Sequence, residues 1–214
     1  MMRFVLWAGL DAWRAEAAVV ALVPDGLRAT GTQLGTYPIP YRLDYRLEAT
    51  EDLVTQSLQV DATGDDWSRR LHLTRDGSGA WHSEASQAGD VRMPPAGGAV
   101  EELRGALDCD LGLSPFTNFM PVRRHGLHHR PGQIDFLMAW VSVPDLGFVP
   151  SHQRYEHVRK DKNHAVVRFI DLGAHSGFTA ELVVDDDGLV LIYPELARRL
   201  GAPSGTGESP TPVQ

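Results

Sequence analysis

Between Tyr41 and Glu48 the chain reads YRLDYRLE, with Tyr41, Leu43, Tyr45 and Leu47 alternating against Arg42, Asp44, Arg46 and Glu48. A period of two sends one set to each face of an extended backbone, whereas a helix would spread both sets around its circumference. This stretch is a half-buried strand. The pattern returns at 57–62 with Leu58, Val60 and Ala62, and at 67–74 with Trp67, Leu71 and Leu73, although Arg69 falls on the apolar side. Upstream, RFVLWAGLDA, RAEAAVVALV and LRATGTQL read as longer strands, the last two joined through the turn signal Pro24-Asp25-Gly26.

Downstream, IDFLMAWVSV (134–143) is apolar at successive positions, as expected for a strand covered on both faces. HAVVRFIDL then gives a strand, and FTAELVVDDDGLVLIYP gives a hairpin closing at Asp187-Gly188. Glycine- and proline-rich breaks at 85–99 and 129–133 mark loops. Helical patterns are confined to 99–107, 114–119 and 195–200. The middle one starts well, with Ser114 as cap and Pro115 at the first helical position, and Pro121 is expected to stop it. Roughly a dozen strands with so little helix predict an all-β barrel, sandwich or roll. A single domain over residues 1–200 is expected, with GAPSGTGESPTPVQ (201–214) too poor in apolar residues to pack and read as a disordered tail.

A net charge of −8, with arginines scattered in pairs, offers no basic stripe for a phosphate backbone, so nucleic acid is not an expected partner. Cys109 is the only cysteine, which excludes an intrachain disulfide and fits a reducing compartment. The apolar run Phe4–Leu10 is short for a signal peptide or a membrane span. The expectation is a soluble cytoplasmic protein.

Chemistry concentrates at 107–130, LDCDLGLSPFTNFMPVRRHGLHHR. On a strand Asp108 and Asp110 share a face, roughly 6.6 Å apart, with Cys109 opposite. Buried together they need water, a cation or arginines, and Arg123 and Arg124 are the local candidates. If that piece is also extended, only one of the two arginines reaches their side. The cluster reads either as a ligand-binding or acid–base site or as an ion-pair network fixing an irregular crossover. Cys109 beside two carboxylates should have a raised thiol pKa, unsuited to a nucleophile.

His125, His128, His129, His152 and His157 match no zinc spacing, and the consecutive acids of DDDG (185–188) suit a hairpin turn better than a calcium loop, so no metal site is expected. Neither a nucleophile elbow nor a dinucleotide fingerprint occurs, and no cofactor is expected. Trp7, Trp13, Trp67, Trp81, Trp140, Phe116, Phe119 and Met120 read as core, with an apolar cavity as the alternative.

DCDLGLSPFTNFMPVRR resembles the Asp-x-Asp-Leu, Thr-Asn and Pro-x-Arg-Arg signature of the bacterial glycolipid-binding family. Trp13, Glu16, Gly79, Trp81, Pro144-Asp145-Leu146, Gln153, Tyr155 and VDDDGLVLIYP agree with it, so the resemblance runs over about residues 10–195. The region SHQRYEHVRKDKN departs from it in being more basic and richer in histidine. The resemblance implies a spiral β-roll, many strands wrapped around one short helix, which would be SPFTNF. It also implies a non-enzymatic protein that holds an amphiphile, a lipid such as a glycolipid or an acyl conjugate. The binding residues it suggests are Asp108, Asp110, Thr117, Asn118, Arg123, Arg124 and Tyr155. Two other readings stay open: an enzyme using the Asp108/Asp110 pair with an arginine on an anionic substrate, and an interaction module. The sequence leaves the oligomeric state and any catalytic residue unassigned.

Overall fold

The structure, a computed structural model, describes residues 1–89, 92–173 and 177–201. Its framework is one sheet of fourteen strands. They are β1 (Met2–Gly9), β2 (Arg14–Val23), β3 (Gly26–Gly35), β4 (Tyr41–Ala49), β5 (Thr55–Thr63), β6 (Ser68–Arg75) and β7 (Trp81–Ala88), followed by β8 (Asp108–Leu111), β9 (Gln133–Val141), β10 (Phe148–Lys160), β11 (His164–Asp171), β12 (Thr179–Asp185), β13 (Val190–Tyr193) and β14 (Ala197–Arg199). The order across the sheet is β7-β6-β5-β4-β3-β2-β1-β14-β13-β12-β11-β10-β9-β8. Pairing is antiparallel except between β8 and β9, which run parallel.

The period-two reading carries directly into burial. β4 alternates buried and solvent-facing residues along its length, and Leu43, Leu47, Leu58, Leu71 and Leu73 are wholly buried on the inner faces of β4, β5 and β6. Each contributes about 1.5–3 kcal/mol of hydrophobic stabilisation. These strands enclose one core; a second, built on Tyr155, Val167, Phe169, Leu182, Val184 and Val190, lies under β10–β13.

The sheet does not close. Its β8 edge is rolled inward over β5, where the Thr55 amide donates to the Leu107 carbonyl (3.0 Å) and the Cys109 amide to Thr55 Oγ1 (3.1 Å). The chain then crosses β2 and β3, with Gln33 Nε2 donating to the Gly112 carbonyl at 3.4 Å. A 3₁₀ turn (Phe116–Asn118) and helix α1 (Phe119–Arg124) follow inside the roll. Phe116 stacks between Tyr45 and Phe119, at centroid distances of 6.1 and 6.4 Å, while Val122 enters the second core. The molecule is thus a β-roll around one short helix.

Several local expectations change. Pro121 does not stop the helix: it lies in the first turn of α1, where an amide would have no helical partner anyway, and its carbonyl accepts from His125 (3.2 Å). Residues 195–200 are not helical, because Ala197–Arg199 pairs with both β1 and β13, and two strand partners outweigh local preference. Of 99–107, only Val100–Leu103 coils, as a 3₁₀ turn without a side-chain cap, and Gly105 at φ 89° lies just beyond it. β9 is less covered than its apolar run suggested, with Gln133 and Asp135 exposed.

Arg69 does face inward, and its guanidinium donates to the carbonyls of Pro94 and Asp145, so the break in alternation marks a carbonyl-lined berth. The acids at 185–188 form the expected turn: Asp185 Oδ1 accepts the Asp187 and Leu189 amides (3.0 and 2.9 Å). Among the described residues no helix is long and apolar enough to cross a membrane. Of the expected tail, residues 202–214 lie outside the described residues.

Candidate functional site

Asp108 and Asp110 both turn from β8 toward the helical segment, while Cys109 and Leu111 face the first core. Their partners are Arg124 and Thr117, seven residues or about two turns apart and so on the same side of that segment. The two ends differ in chemistry.

At the Asp108 end the carboxylate is completely buried, and the Arg124 guanidinium grips both its oxygens, Nη1 reaching Oδ1 at 2.9 Å. Arg124 Nη1 also donates to the Leu53 carbonyl (3.0 Å), and its guanidinium lies 5.9 Å from the Phe136 ring centre. Burial pushes the Asp108 carboxyl above its ordinary range, and Arg124 pulls against that shift. Arg123 points elsewhere, donating to the Asp187 carbonyl at 2.7 Å and covering Phe119.

At the Asp110 end the partners are neutral. Thr117 Oγ1 donates to Oδ1 and Gln153 Nε2 to Oδ2, each at 2.8 Å. The neighbouring Tyr155 hydroxyl donates to Asn118 Oδ1 (2.7 Å) and lies 3.4 Å from Gln153 Oε1. Burial pushes the Asp110 carboxyl upward, the charges of Asp108 and Asp171 add to this, and the Gln153 and Thr117 bonds oppose it. Asp110, Thr117, Asn118 and Tyr155 therefore belong to one network, Asp108 and Arg124 form a second pair, and Arg123 joins neither.

The Asp110 network borders a cleft of about 280 Å³. Asp110, Ser114, Asn118, Ser151, Gln153, Asp171 and Tyr193 supply polar groups; Leu113, Trp140, Val149, Pro150, Phe169, Phe178 and Leu196 supply apolar walls. Val149 and Phe178 are exposed, whereas Gln153 and Asn118 are buried, so the surface grades from apolar to polar inward. Neither Lys nor Arg lines the cleft among the described residues. A wider depression of about 450 Å³ lies across the outer face of β1–β5, lined by outward-facing side chains such as Phe4, Val19, Thr30, Arg46 and Gln59. The smaller cleft is the better candidate, because buried polar groups from β8, the helical segment and β10 converge there.

Behind one wall lies a carboxyl that the sequence had marked only through the family pattern. Glu16 is buried; its Oε1 accepts from the Tyr45 hydroxyl and from Ser114 Oγ, both at 2.7 Å, while Oε2 has no hydrogen bond among the described residues. Burial pushes its pKa up to about 7, against the pull of the Tyr45 and Ser114 bonds. Cys109 is buried too, and its thiol is pushed up first by burial and then by the two aspartates.

The tryptophans divide. Trp7, Trp67 and Trp81 are core, Trp140 lines the cleft, and Trp13 stands exposed. Gln153 and the cleft walls were not among the binding residues expected from sequence. Ser151, Gln153 and Tyr155 could have been grouped by their period-two spacing on β10, opposite Arg154 and Glu156. The histidines also separate: His128 is buried, His157 Nδ1 pairs with the Leu127 carbonyl (2.7 Å), and His129 and His152 are exposed.

Residues 4–199 match the profile of the family described as "Putative glycolipid-binding". The crystal structure of a DUF1089 family protein from Pseudomonas aeruginosa superposes with a TM-score of 0.63 at 30% identity, covering 86% of this chain and 92% of that one. No curated protein matches the chain significantly. The family match spans nearly all the described strands, and the chain belongs to this family.

Proposed function

We propose that this family member binds an amphiphile whose head is an uncharged polyhydroxyl group, a sugar, seated in the Asp110 cleft. The observation that carries this reading is the make-up of the cleft: Asp110, Gln153, Asn118 and Tyr193 offer acceptors and donors beside the aromatic faces of Trp140, Phe169 and Phe178, with neither Lys nor Arg lining it among the described residues. Sugar hydroxyls can exchange hydrogen bonds with such groups, while a ring's C–H face packs against aromatics. A phosphate or sulfate head would instead meet the carboxyls of Asp110 and Asp171. At about 280 Å³ the cleft is near the small end of the range of ~300–1,000 Å³ for small-molecule sites, so it suits one head group more than an acyl chain. The apolar tail would leave across exposed Val149 and Phe178.

Thr117 and Tyr155 hold Asp110 and Asn118 in place, and Asp108 with Arg124 fixes the helical segment from which Thr117 and Asn118 project. An acid–base role for both aspartates finds less support, since only Asp110 lines the cleft. A reducing cytoplasmic setting fits the unpaired, buried Cys109.

Native mass spectrometry of protein purified from its own host, followed by organic extraction, should reveal a bound amphiphile with a sugar head. Titration with octyl glucoside and with octyl phosphate supplies the contrast. Saturable glucoside binding, weakened about tenfold or more by Trp140→Ala, is expected. Tighter binding of the phosphate, or saturable binding of neither, would remove the reading.

A further inference from the structure

Because successive strands alternate in direction, their connections gather at two ends of the roll. The β1–β2, β3–β4, β9–β10 and β13–β14 connections share one end with the close of β11 and the start of β12. The cleft reaches this end through Leu113, Val149, Asp171, Phe178 and Leu196.

The two ends differ in what they expose. At the cleft end Trp13 is 64% exposed, Tyr37 75%, Leu10 49%, Val149 49%, Phe178 45% and Leu172 41%. Two hydrogen bonds tie these positions to the cleft and to one another: the Leu10 amide donates to the carbonyl of Leu196, and the Thr36 side-chain Oγ1 to that of Trp13 at 3.4 Å. Turn tips at the opposite end carry exposed Asp25, Asp52, Asp76, Asp161 and Asp186 without an exposed aromatic side chain beside them. Of the other large exposed apolar side chains, Phe4, Leu6, Leu34 and Ile192 lie along the strands and Leu200 just past β14, while Met2, at the start of β1, is the one at the opposite end among the described residues.

We propose that the cleft end seats on the surface of a lipid bilayer, with Trp13 and Tyr37 at head-group depth. Trp and Tyr combine an apolar ring with a polar atom, which suits a surface that is apolar on one side and wet on the other. The exposed apolar residues stand on the 10–13, 36–40 and 172–178 connections and at the start of β10, with Asp11 and Glu195 exposed at the same end, so they form discrete points of insertion that a fluid surface can accommodate. Charge selects the kind of bilayer. The 10–13, 36–40, 64–67, 142–147 and 194–196 connections contain no Lys or Arg, and at this end exposed Asp11, Asp65, Asp66 and Glu195 outnumber exposed Arg92 on the chain leaving β7. A zwitterionic surface therefore fits it better than an anionic one.

The inference stands on surface residues and does not depend on the identity of the cleft's ligand. Flotation of the full chain with phosphatidylcholine vesicles tests it. The wild type should float with these vesicles and less with vesicles containing phosphatidylglycerol. W13S/Y37S should bind about tenfold more weakly with an unchanged melting temperature, and Phe4→Ser, on the outer face of β1, should float like wild type. Absence of flotation, equal flotation of the double variant, or loss on Phe4→Ser would overturn the proposal. So would sedimentation showing a wild-type dimer that W13S/Y37S converts to monomer, since this end would then join two copies. The vesicles contain no sugar-headed lipid, so failure here leaves the glucoside titration to be judged by itself.

Discussion

Asp108 and Asp110 stand two residues apart on one side of β8, yet the regions around them do opposite things. Around Asp108 a guanidinium meets both oxygens, a carbonyl accepts another of its protons, and the carboxylate is fully buried. Around Asp110 the partners are a hydroxyl and an amide, and the carboxyl borders a cleft. The helical segment makes this difference, because its Thr117 end faces one aspartate and its Arg124 end the other. Burial alone therefore does not distinguish a binding group from a structural one. A carboxylate whose charge is matched by a dedicated cation is committed to the fold, whereas one held by neutral donors retains interactions for a ligand.

The largest effect should come from breaking the closed end. Arg124→Ala leaves a buried carboxylate without its cation and should cost about 3–5 kcal/mol in denaturant unfolding. Arg124→Lys keeps the charge but loses the fork, and should fall between that variant and wild type. If Arg124→Ala unfolds at the wild-type midpoint, the closed end is not structural.

Glu16 sharpens the comparison as a buried carboxyl held by two hydroxyls. Its folded pKa, about 7, lies above the unfolded value of 4.5, so the unfolded chain releases this proton first as pH rises. Stability associated with Glu16 should fall between those pH values, by about 3 kcal/mol in all. Glu16→Gln should remove that slope, read as the difference between the stability–pH curves of variant and wild type. Parallel curves would show that burial does not hold the proton there.

Opening the contrast from the other side, Asp110→Asn should cost only about 1 kcal/mol of stability, since an amide can still join Thr117 and Gln153. Its main effect should be at least a tenfold loss in octyl glucoside affinity. A large stability loss with unchanged affinity would make Asp110 a second Asp108. The smallest stability effect belongs to the rim, where W13S/Y37S should change unfolding by no more than about 0.5 kcal/mol.

Much of the fold was legible because a half-buried strand writes itself as alternation, as in YRLDYRLE, and because Asp187-Gly188 can only turn. Even the anomaly of Arg69 pointed to a real berth. β14 was not legible: ELARRL has a local preference for helix, and its strand partner β1 lies near the other end of the sequence. The site was visible only in part. The clustering of Asp108, Asp110, Thr117, Asn118 and Arg124 followed from their closeness in the chain, but which arginine turns inward depends on helical phase. Trp140, Phe169 and Tyr193 come from β9, β11 and β13 and Phe178 from the residue just before β12, so they meet only once the intervening hairpins are formed, and nothing in the individual segments marks them as neighbours.

The strand order holds a consequence for how the chain could be rewired. Read from β8 through β14 to β1 and on to β7, every neighbour in the sheet is also a neighbour in sequence once the two termini are joined. In the chain's own order β14 and β1 are the sheet neighbours farthest apart in sequence, and the pairing of Gly9 with Ala197 and Trp7 with Arg199 brings them together. A circular permutant opened between β7 and β8, with a designed linker from Gly201 to Met1, would turn that contact into a local one. It should reach the same native state with a faster main folding phase, because the costliest loop closure would no longer be required.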